Sequence, residues 1–449
     1  MTLTHEPLAH ASSGEKPRRI AVLSVHTSPL ASPGGRESGG MNVYVRELSQ
    51  AMGTRGYVVD VFTRRASPDQ PDAQPFGPNA RVINIDAGPA GPLEKEALAA
   101  HLEEFEAQLL AFVEREGAAY DMVHSHYWMS GEVATHLAAR WQVPHVAMFH
   151  TLGEVKNRAR ATEHEPASRI EAERRIARSA DRIVVASAHE QQLLTALYGA
   201  DAERIAIVPC GIDLELFAPM EKEFARRKLG LKDGERVILF VGRIEPLKGI
   251  DILISAAAQL HEDENFIVLI VGGDARAAAE IEQLRAQAER LGIDHHISFE
   301  GAVEHSRLPL YYNAADVCVV PSYYESFGLV AVESMACGTP VVASRVGGLT
   351  TTVQDGETGY LIPWRCPEPF AERLELLLDN DELRASFGRA GREAVERFRW
   401  ANVADAVGAL YESLLAPADA SGAAAVRVPV RSGPLIGETS NRYTKEAQY

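Results

Sequence analysis

Residues 316–333 read DVCVVPSYYESFGLVAVE. Behind Asp316 stands an unbroken apolar run, 317–320, with none of the alternation of a strand that keeps one wet face. A run of this kind is a strand buried on both sides. It stops at Pro321-Ser322, crosses a polar turn, and passes through Phe327-Gly328-Leu329 into a stretch with helical spacing. A doubly buried strand feeding a helix is half of a βαβ unit, and such units build a parallel sheet with helices on its faces.

The same pattern recurs on both sides of this stretch. A first set of β-rich runs is expected at 20–25, 58–62, 82–85, 122–124, 145–149, 183–185 and 205–208, with helical periodicity between most of them. A second set is expected at 237–241, 266–271, 297–299, 317–320 and 341–343. Between the sets, residues 209–231 hold Pro209, Gly211, Pro219 and a charged stretch that interrupt both periodicities, which makes this the best linker. The expected fold class is therefore α/β, with two doubly wound Rossmann-like domains, 19–212 and 213–416, facing a cleft. Flexible tails are expected at 1–18 and 417–449. Ligands of open α/β sheets sit beyond the carboxyl ends of the strands, so the chemistry should gather there.

Composition narrows the partners. The chain has 449 residues, 46% of them hydrophobic and 24% charged, as in globular proteins with sizeable cores. Lys and Arg number 45 against 62 Asp and Glu, a formal charge of −17 that repels polyanions, so nucleic acid is not expected as a partner. Small phosphorylated metabolites are not excluded, because a pocket of a few cations and amides does not show in the net charge. Cys210, Cys318, Cys337 and Cys366 form no C-x-x-C pair, which argues against a disulfide framework or zinc site and fits a reducing cytoplasm. Residues 1–19 resemble neither a signal peptide nor an anchor, and no apolar run is long enough to span a bilayer, so a cytoplasmic protein without a membrane partner is expected. A homodimer is considered as well, although no heptad seam is readable.

Three strand ends carry residues suited to phosphate and hydroxyl recognition. After the first strand, Gly34-Gly35 and Gly39-Gly40 precede the helix-like VYVRELSQAM, and glycines at a helix start let backbone N–H groups approach an anion. The second half opens with RVILFVGRIEPLKGID, in which Arg243 and Lys248 flank a turn and can jointly neutralise a diphosphate as charge grows on it. In 321–333, Glu325 in the loop and Glu333 two helical turns later suit sugar and ribose hydroxyls better than a metal, and both are expected to point toward one ligand. Gly347-Gly348, at a further strand-to-helix turn, could also touch phosphate. His124 and His126 have a spacing that could ligate zinc, but no third ligand is evident, and no metal is expected.

Together these residues resemble the retaining, nucleotide-sugar-dependent glycosyltransferases of family GT4, which have the GT-B fold. The resemblance runs from about Arg19 to Leu415, and its most specific part is PSYYESFGLVAVESMACGTPVVAS, supported by GRIEPLKG. It implies that the second half binds a UDP-sugar through Arg243, Lys248, Glu325, Ser326, Phe327, Gly328, Leu329 and Glu333, with Gly39 and Gly40 of the first half touching the same donor, and that the first half binds the acceptor. SGGMNVYV, HSHYWMSG and FHTLGEVKN narrow the resemblance to the subgroup that glycosylates inositol 3-phosphate, with sucrose-phosphate synthases as near relatives. On that basis Asn42 would touch the inositol ring, and Lys95, Tyr127, Thr151 and Arg169 would hold the acceptor phosphate. His150 would lie beside the donor sugar.

The resemblance implies transfer of N-acetylglucosamine from UDP with retention, the departing phosphate oxygen taking the acceptor proton. His150, Arg243, Lys248 and Glu325 would be the catalytic group, and no cofactor is required beyond the UDP-sugar substrate. Two alternatives are carried: a sucrose-phosphate synthase using UDP-glucose and fructose 6-phosphate, and a UDP-sugar epimerase.

Overall fold

The computed structural model describes residues 16–31, 40–91, 93–159, 164–260, 265–273, 277–363 and 366–416, so the expected tails lie outside the description apart from 16–18. The strands form an 8-stranded and a 6-stranded sheet. The first holds β1 (Arg19–Leu23), β2 (Val58–Arg64), β3 (Ala73–Gly77), β4 (Ala80–Ile85), β5 (Met122–His126), β6 (His145–Met148), β7 (Arg182–Val185) and β8 (Ile205–Ile207), in the order β3-β4-β2-β1-β5-β6-β7-β8. The second holds β9 (Arg236–Val241), β10 (Phe266–Val271), β11 (Ile297–Gly301), β12 (Val317–Val320), β13 (Val341–Ser344) and β14 (Gly359–Ile362), in the order β11-β10-β9-β12-β13-β14. Every pairing is parallel except β3 with β4. In register, Ile20 stands between Val59 and Met122, and Ile238 between Val268 and Val317.

All twelve expected strands form, with ends shifted by at most two residues; β3 and β14 were not expected. β3 is an antiparallel edge strand carrying Pro75, with exposed and half-exposed positions and no apolar run to mark it. β14 has four residues and closes the opposite edge of the second sheet.

The proposed linker is shorter than its composition suggests. Residues Lys222–Leu229 form a helix clamped to the second sheet, where Arg226 donates from Nη2 to Asp316 Oδ2 at 2.7 Å and from Nε to the Ala314 carbonyl at 3.1 Å. Prolines and charges that interrupted the periodicity had concealed an anchored helix.

A second difference lies at the end of the chain. The helix Trp400–Leu415, assigned by sequence to the second half, returns to the first and packs on Gly40–Thr54. Arg55 Nε donates to Asp405 Oδ1 at 2.8 Å, and His124 Nδ1 lies 2.6 Å from the Tyr411 hydroxyl. One apolar cluster accordingly runs from Val22 and Val61 of the first sheet through Val403, Val407 and Tyr411 to Leu239 and Val341 of the second. Each such side chain, fully buried, contributes about 1.5–3 kcal/mol. The outer face of each sheet has its own cluster, around Phe105 and Leu109 in the first and Leu253 and Phe370 in the second.

Strand order reverses between β1 and β5 in one sheet and between β9 and β12 in the other. The crevices beyond those strand ends hold the loops singled out above. No helix among the described residues is long and apolar enough to cross a membrane.

Candidate active site

A cleft of about 450 Å³ opens at these loops, and of the expected residues Gly40, Asn42, Arg243, Leu329 and Glu333 line it. One wall is backbone. Gly242 and Gly272 end neighbouring strands, and a Cβ on Gly272 would fall 1.8 Å from the Gly242 carbonyl oxygen, so no side chain fits there and the wall stays thin. Sequence reasoning missed these two glycines and Gly273; the repeated Val-Gly at the ends of two apolar strands was the available signal.

Toward the second sheet, Arg243 is 63% exposed in its side chain and pairs with Glu245 at 3.0 Å. Lys248 ends the turn Pro246–Lys248 and donates from Nζ to Glu325 Oε2 at 2.7 Å, where the Ser322 hydroxyl also approaches at 3.4 Å. Ser326 donates from Oγ to the His150 carbonyl at 3.0 Å, tying this loop to the first half. Phe327 is buried edge-on against Phe398. Gly328 precedes the helix Leu329–Ala336, whose opening N–H groups at Leu329 and Val330 border the cleft. Those first-turn groups lack partners within a helix and favour anions. Gly40 begins the helix Gly40–Thr54 opposite them, and a Cβ on it would lie 2.8 Å from Leu329 Cδ1. Gly39 falls outside the described residues.

Glu325 and Glu333, one in the loop and one in the helix, are held by different partners. Glu325 precedes the helix and is held by Lys248, whereas Glu333 faces the cleft, accepting from Tyr312 Oη at 2.7 Å with His305 Nε2 3.3 Å from its other oxygen. Gly347-Gly348 has a different task from the phosphate contact proposed for it. Added Cβ atoms would meet the Glu325 and Ser326 carbonyl oxygens at 1.9 and 2.2 Å, and Gly348 N–H donates to the former at 2.8 Å. The pair is a seat for the Glu325 loop.

Toward the first sheet, Asn42 is buried and donates from Nδ2 to the Ser28 carbonyl at 2.7 Å and to the Thr27 hydroxyl. Lys95, Tyr127, Thr151 and Arg169, which come from four separate segments, converge. Lys95 Nζ lies 5.5 Å from the Tyr127 ring centre and the Arg169 guanidinium 4.9 Å from it. Arg169 also donates from Nη2 to the Thr151 hydroxyl and carbonyl, each at 3.0 Å.

Arg169 is not the solvent-facing cation that a phosphate cage suggests. Its side chain is 3% exposed, donates from Nε to Glu173 at 2.7 Å and pairs through Nη1 with Glu165 at 2.7 Å. Burial alone would lower its pKa, but Tyr127, Glu173 and Glu165 outweigh it and hold the guanidinium firmly charged. Glu173, wholly buried, also accepts from the Gly153 N–H and the Tyr198 hydroxyl. Charged residues between 154 and 173 thus supply ion pairs: Lys156 with Glu165, Arg158 with Glu154, and Arg169 with Glu165 and Glu173. Residues 160–163 lie outside the description.

Two strand ends here carry a left-handed backbone without glycine: Tyr127 has φ 76° and His150 φ 61°. Each such residue costs about 1–3 kcal/mol and persists only where surroundings impose it. His126 Nδ1 lies 2.9 Å from His150 Nε2, and burial lowers the pKa of His150 to about 3. His124 is likewise lowered to about 3, by burial first and then by His145 and His150. Among the described residues no group of three His, Cys, Asp or Glu is placed to hold a metal ion.

This geometry has clear relatives. Residues 38–216 match the family described as Glycosyltransferase Family 4, and 221–394 match Glycosyl transferases group 1. The D-inositol 3-phosphate glycosyltransferase of Acidothermus cellulolyticus is 44% identical over 417 residues, 91% of this chain and 93% of that one. The chain belongs to the GT4 glycosyltransferases. The sucrose-phosphate synthase structure from Thermosynechococcus elongatus is 37% identical, with a TM-score of 0.82 over 88% of this chain and 99% of its own. Anabaena HepE in complex with UDP-glucose, 20% identical, shares the fold with a TM-score of 0.71 over 88% of this chain and 100% of that one. The two sheets are thus those of a GT-B glycosyltransferase, and the epimerase alternative is set aside.

Other residues enter the GT4 cleft unannounced by sequence: Arg46 and Asp213 at its sides, His305 beside Glu333, and Trp400 at the root of the returning helix. Asp213, His305 and Trp400 come from distant segments that no local pattern marks, whereas Arg46, one turn after Asn42, reads in sequence as an ordinary helix charge.

Proposed function

We propose that this GT4 enzyme transfers N-acetylglucosamine from UDP-N-acetylglucosamine to a hydroxyl of inositol 3-phosphate, with retention at the anomeric carbon. The observation that carries the acceptor half of this reading is the approach of Lys95 and of the glutamate-paired Arg169 to the Tyr127 ring, with the Thr151 hydroxyl on Arg169, a grouping of a cation and hydroxyls around a fixed guanidinium that suits a phosphate ester. The relatives named for inositol 3-phosphate support it. For the donor, support comes from the thin glycine wall, the open helix start at Leu329 and the nearby Arg243 and Lys248, a setting suited to a diphosphate. HepE is a neighbour that holds UDP-glucose.

In the proposed reaction the acceptor hydroxyl attacks from the face that the diphosphate leaves. Its proton goes to the departing phosphate oxygen, so no enzyme carboxylate acts as nucleophile, in contrast to retaining hydrolases. Lys248 and Arg243 stabilise the charge growing on the diphosphate, Glu325 holds sugar hydroxyls once Lys248 turns to the phosphate, and Glu333 takes the ribose. Asn42 meets the inositol ring. Water is kept from the sugar by the apolar cleft wall, which disfavours hydrolysis of the donor.

The similarity to sucrose-phosphate synthase favours a second reading, transfer of glucose to fructose 6-phosphate. One equimolar incubation of both donors with both acceptors, read by product mass, separates the two. Glycosylated inositol phosphate as the main product is expected; sucrose phosphate without it would overturn the acceptor assignment.

A further inference from the structure

His126 ends β5 and His150 follows β6, and their rings meet at 2.9 Å through Nδ1 of the first and Nε2 of the second. Both are neutral. Burial holds His150 down at about 3, and burial, then His124 and His150, holds His126 well below its ordinary value. Two neutral imidazoles sharing one hydrogen bond have one donor and one acceptor, which leaves two arrangements.

The surroundings choose between them. Were His126 to accept at Nδ1, its proton would sit on Nε2, which is buried without a hydrogen-bond partner. An orphaned buried N–H is rarer in proteins than an under-used acceptor. Were His126 to donate from Nδ1, only a bare lone pair would be left at Nε2, and His150 would carry its own proton on Nδ1. Neither ring is free to turn away. His150 has an imposed left-handed backbone and a carbonyl that accepts from Ser326, and the Tyr44 ring packs edge-on against both imidazoles at 5.7 and 5.4 Å.

We infer that His126 is a positioning residue: by donating from Nδ1–H to His150 Nε2 it fixes His150 as an Nδ1–H donor, aimed at an oxygen of the transferred hexose. The tautomer stands on the structure alone; its use in transfer rests on the proposed function together with the family resemblance, which implies that His150 lies beside the donor sugar.

Two measurements on the full chain test this. Two-bond proton–nitrogen spectra of the ¹⁵N-histidine-labelled, ligand-free protein, with the His150 signals identified by their loss in His150→Asn, should show the proton on Nδ1. A proton on Nε2 overturns the assignment whatever the substrates prove to be. In turnover, His126→Asn, whose amide nitrogen can replace the Nδ1–H donor, should stay within about threefold of the parent, while His126→Ala should lose about tenfold in kcat, the weight of one hydrogen bond, with UDP affinity unchanged. Equal losses in both variants at unchanged melting temperature would reduce His126 to packing. Failure of the parent enzyme to bind UDP in calorimetry would count against the donor reading and leave the tautomer result untouched.

Discussion

Arg169 in the first half and Arg243 in the second carry the same guanidinium in opposite settings. Arg169 has a side chain 3% exposed, two carboxylates, a hydroxyl and a carbonyl around it. Arg243 is 63% exposed and has Glu245 as its ion-pair partner. Lys248 is intermediate, 20% exposed and paired with Glu325. In the first half, charge is set rigidly in place before any ligand arrives, as a part of the core. In the second half, cations are held by single, part-exposed ion pairs, contacts weak enough to be exchanged. The first half is thus built for shape and the second, at these residues, for exchange of partners.

The hardest test of this contrast is Arg169→Ala. It strands Glu173 and Glu165 and should lower the unfolding free energy by about 3–5 kcal/mol in urea titrations; a loss under about 1 kcal/mol would put Arg169 in the same class as surface pairs. Next is Lys248→Ala, expected to cut kcat about a hundredfold at unchanged melting temperature, since it removes a cation from the leaving group; unaltered turnover would take Lys248 out of the mechanism. Glu190 sharpens the view of the first half, because it is a buried carboxyl that accepts from the Ala186 N–H at 3.0 Å, and burial pushes its pKa up to about 7. Ionisation is easier in the unfolded chain, so its contribution falls as pH rises from about 4.5 toward 7. Glu190→Gln should therefore match the parent at pH 4 and exceed it at pH 8 by on the order of 2 kcal/mol, a gap read from unfolding at both pH values.

Smaller effects are expected across the cleft. Glu325→Gln frees Lys248, so UDP without its sugar should bind about three- to fivefold tighter in calorimetry even as transfer falls; weaker binding would show that Glu325 orients Lys248 rather than occupying it. Arg243→Ala should change unfolding free energy by less than about 0.5 kcal/mol, and a larger loss would erase the contrast between the halves.

How much of this was readable beforehand follows from the physics of each signal. Strands buried on both faces announce themselves by continuous apolar runs, and all of those expected are present. β3 gave no such sign, because an edge strand with a proline lives by pairing rather than burial. Arg243, Lys248, Glu325 and Glu333 stand near their strands in sequence, so a local reading brought them to one region. Lys95, Tyr127, Thr151 and Arg169 were reached through family resemblance; no spacing connects Lys95 to Arg169. That Arg169 would be buried between glutamates was legible only in part. Glu165 and Glu173 stand four residues to either side, a helical spacing, but charge alone does not say which face is covered.

The chain passes between the two sheets twice, outward near Ile212 and back near Arg399, and these passages touch: Ile212 N–H donates to the Phe398 carbonyl at 2.8 Å, and Ile212 and Arg399 form a parallel bridge. A body fastened at two adjacent points swings about the line through them and resists sliding. Any opening of one sheet against the other is therefore expected as rotation about these two crossings rather than as sliding.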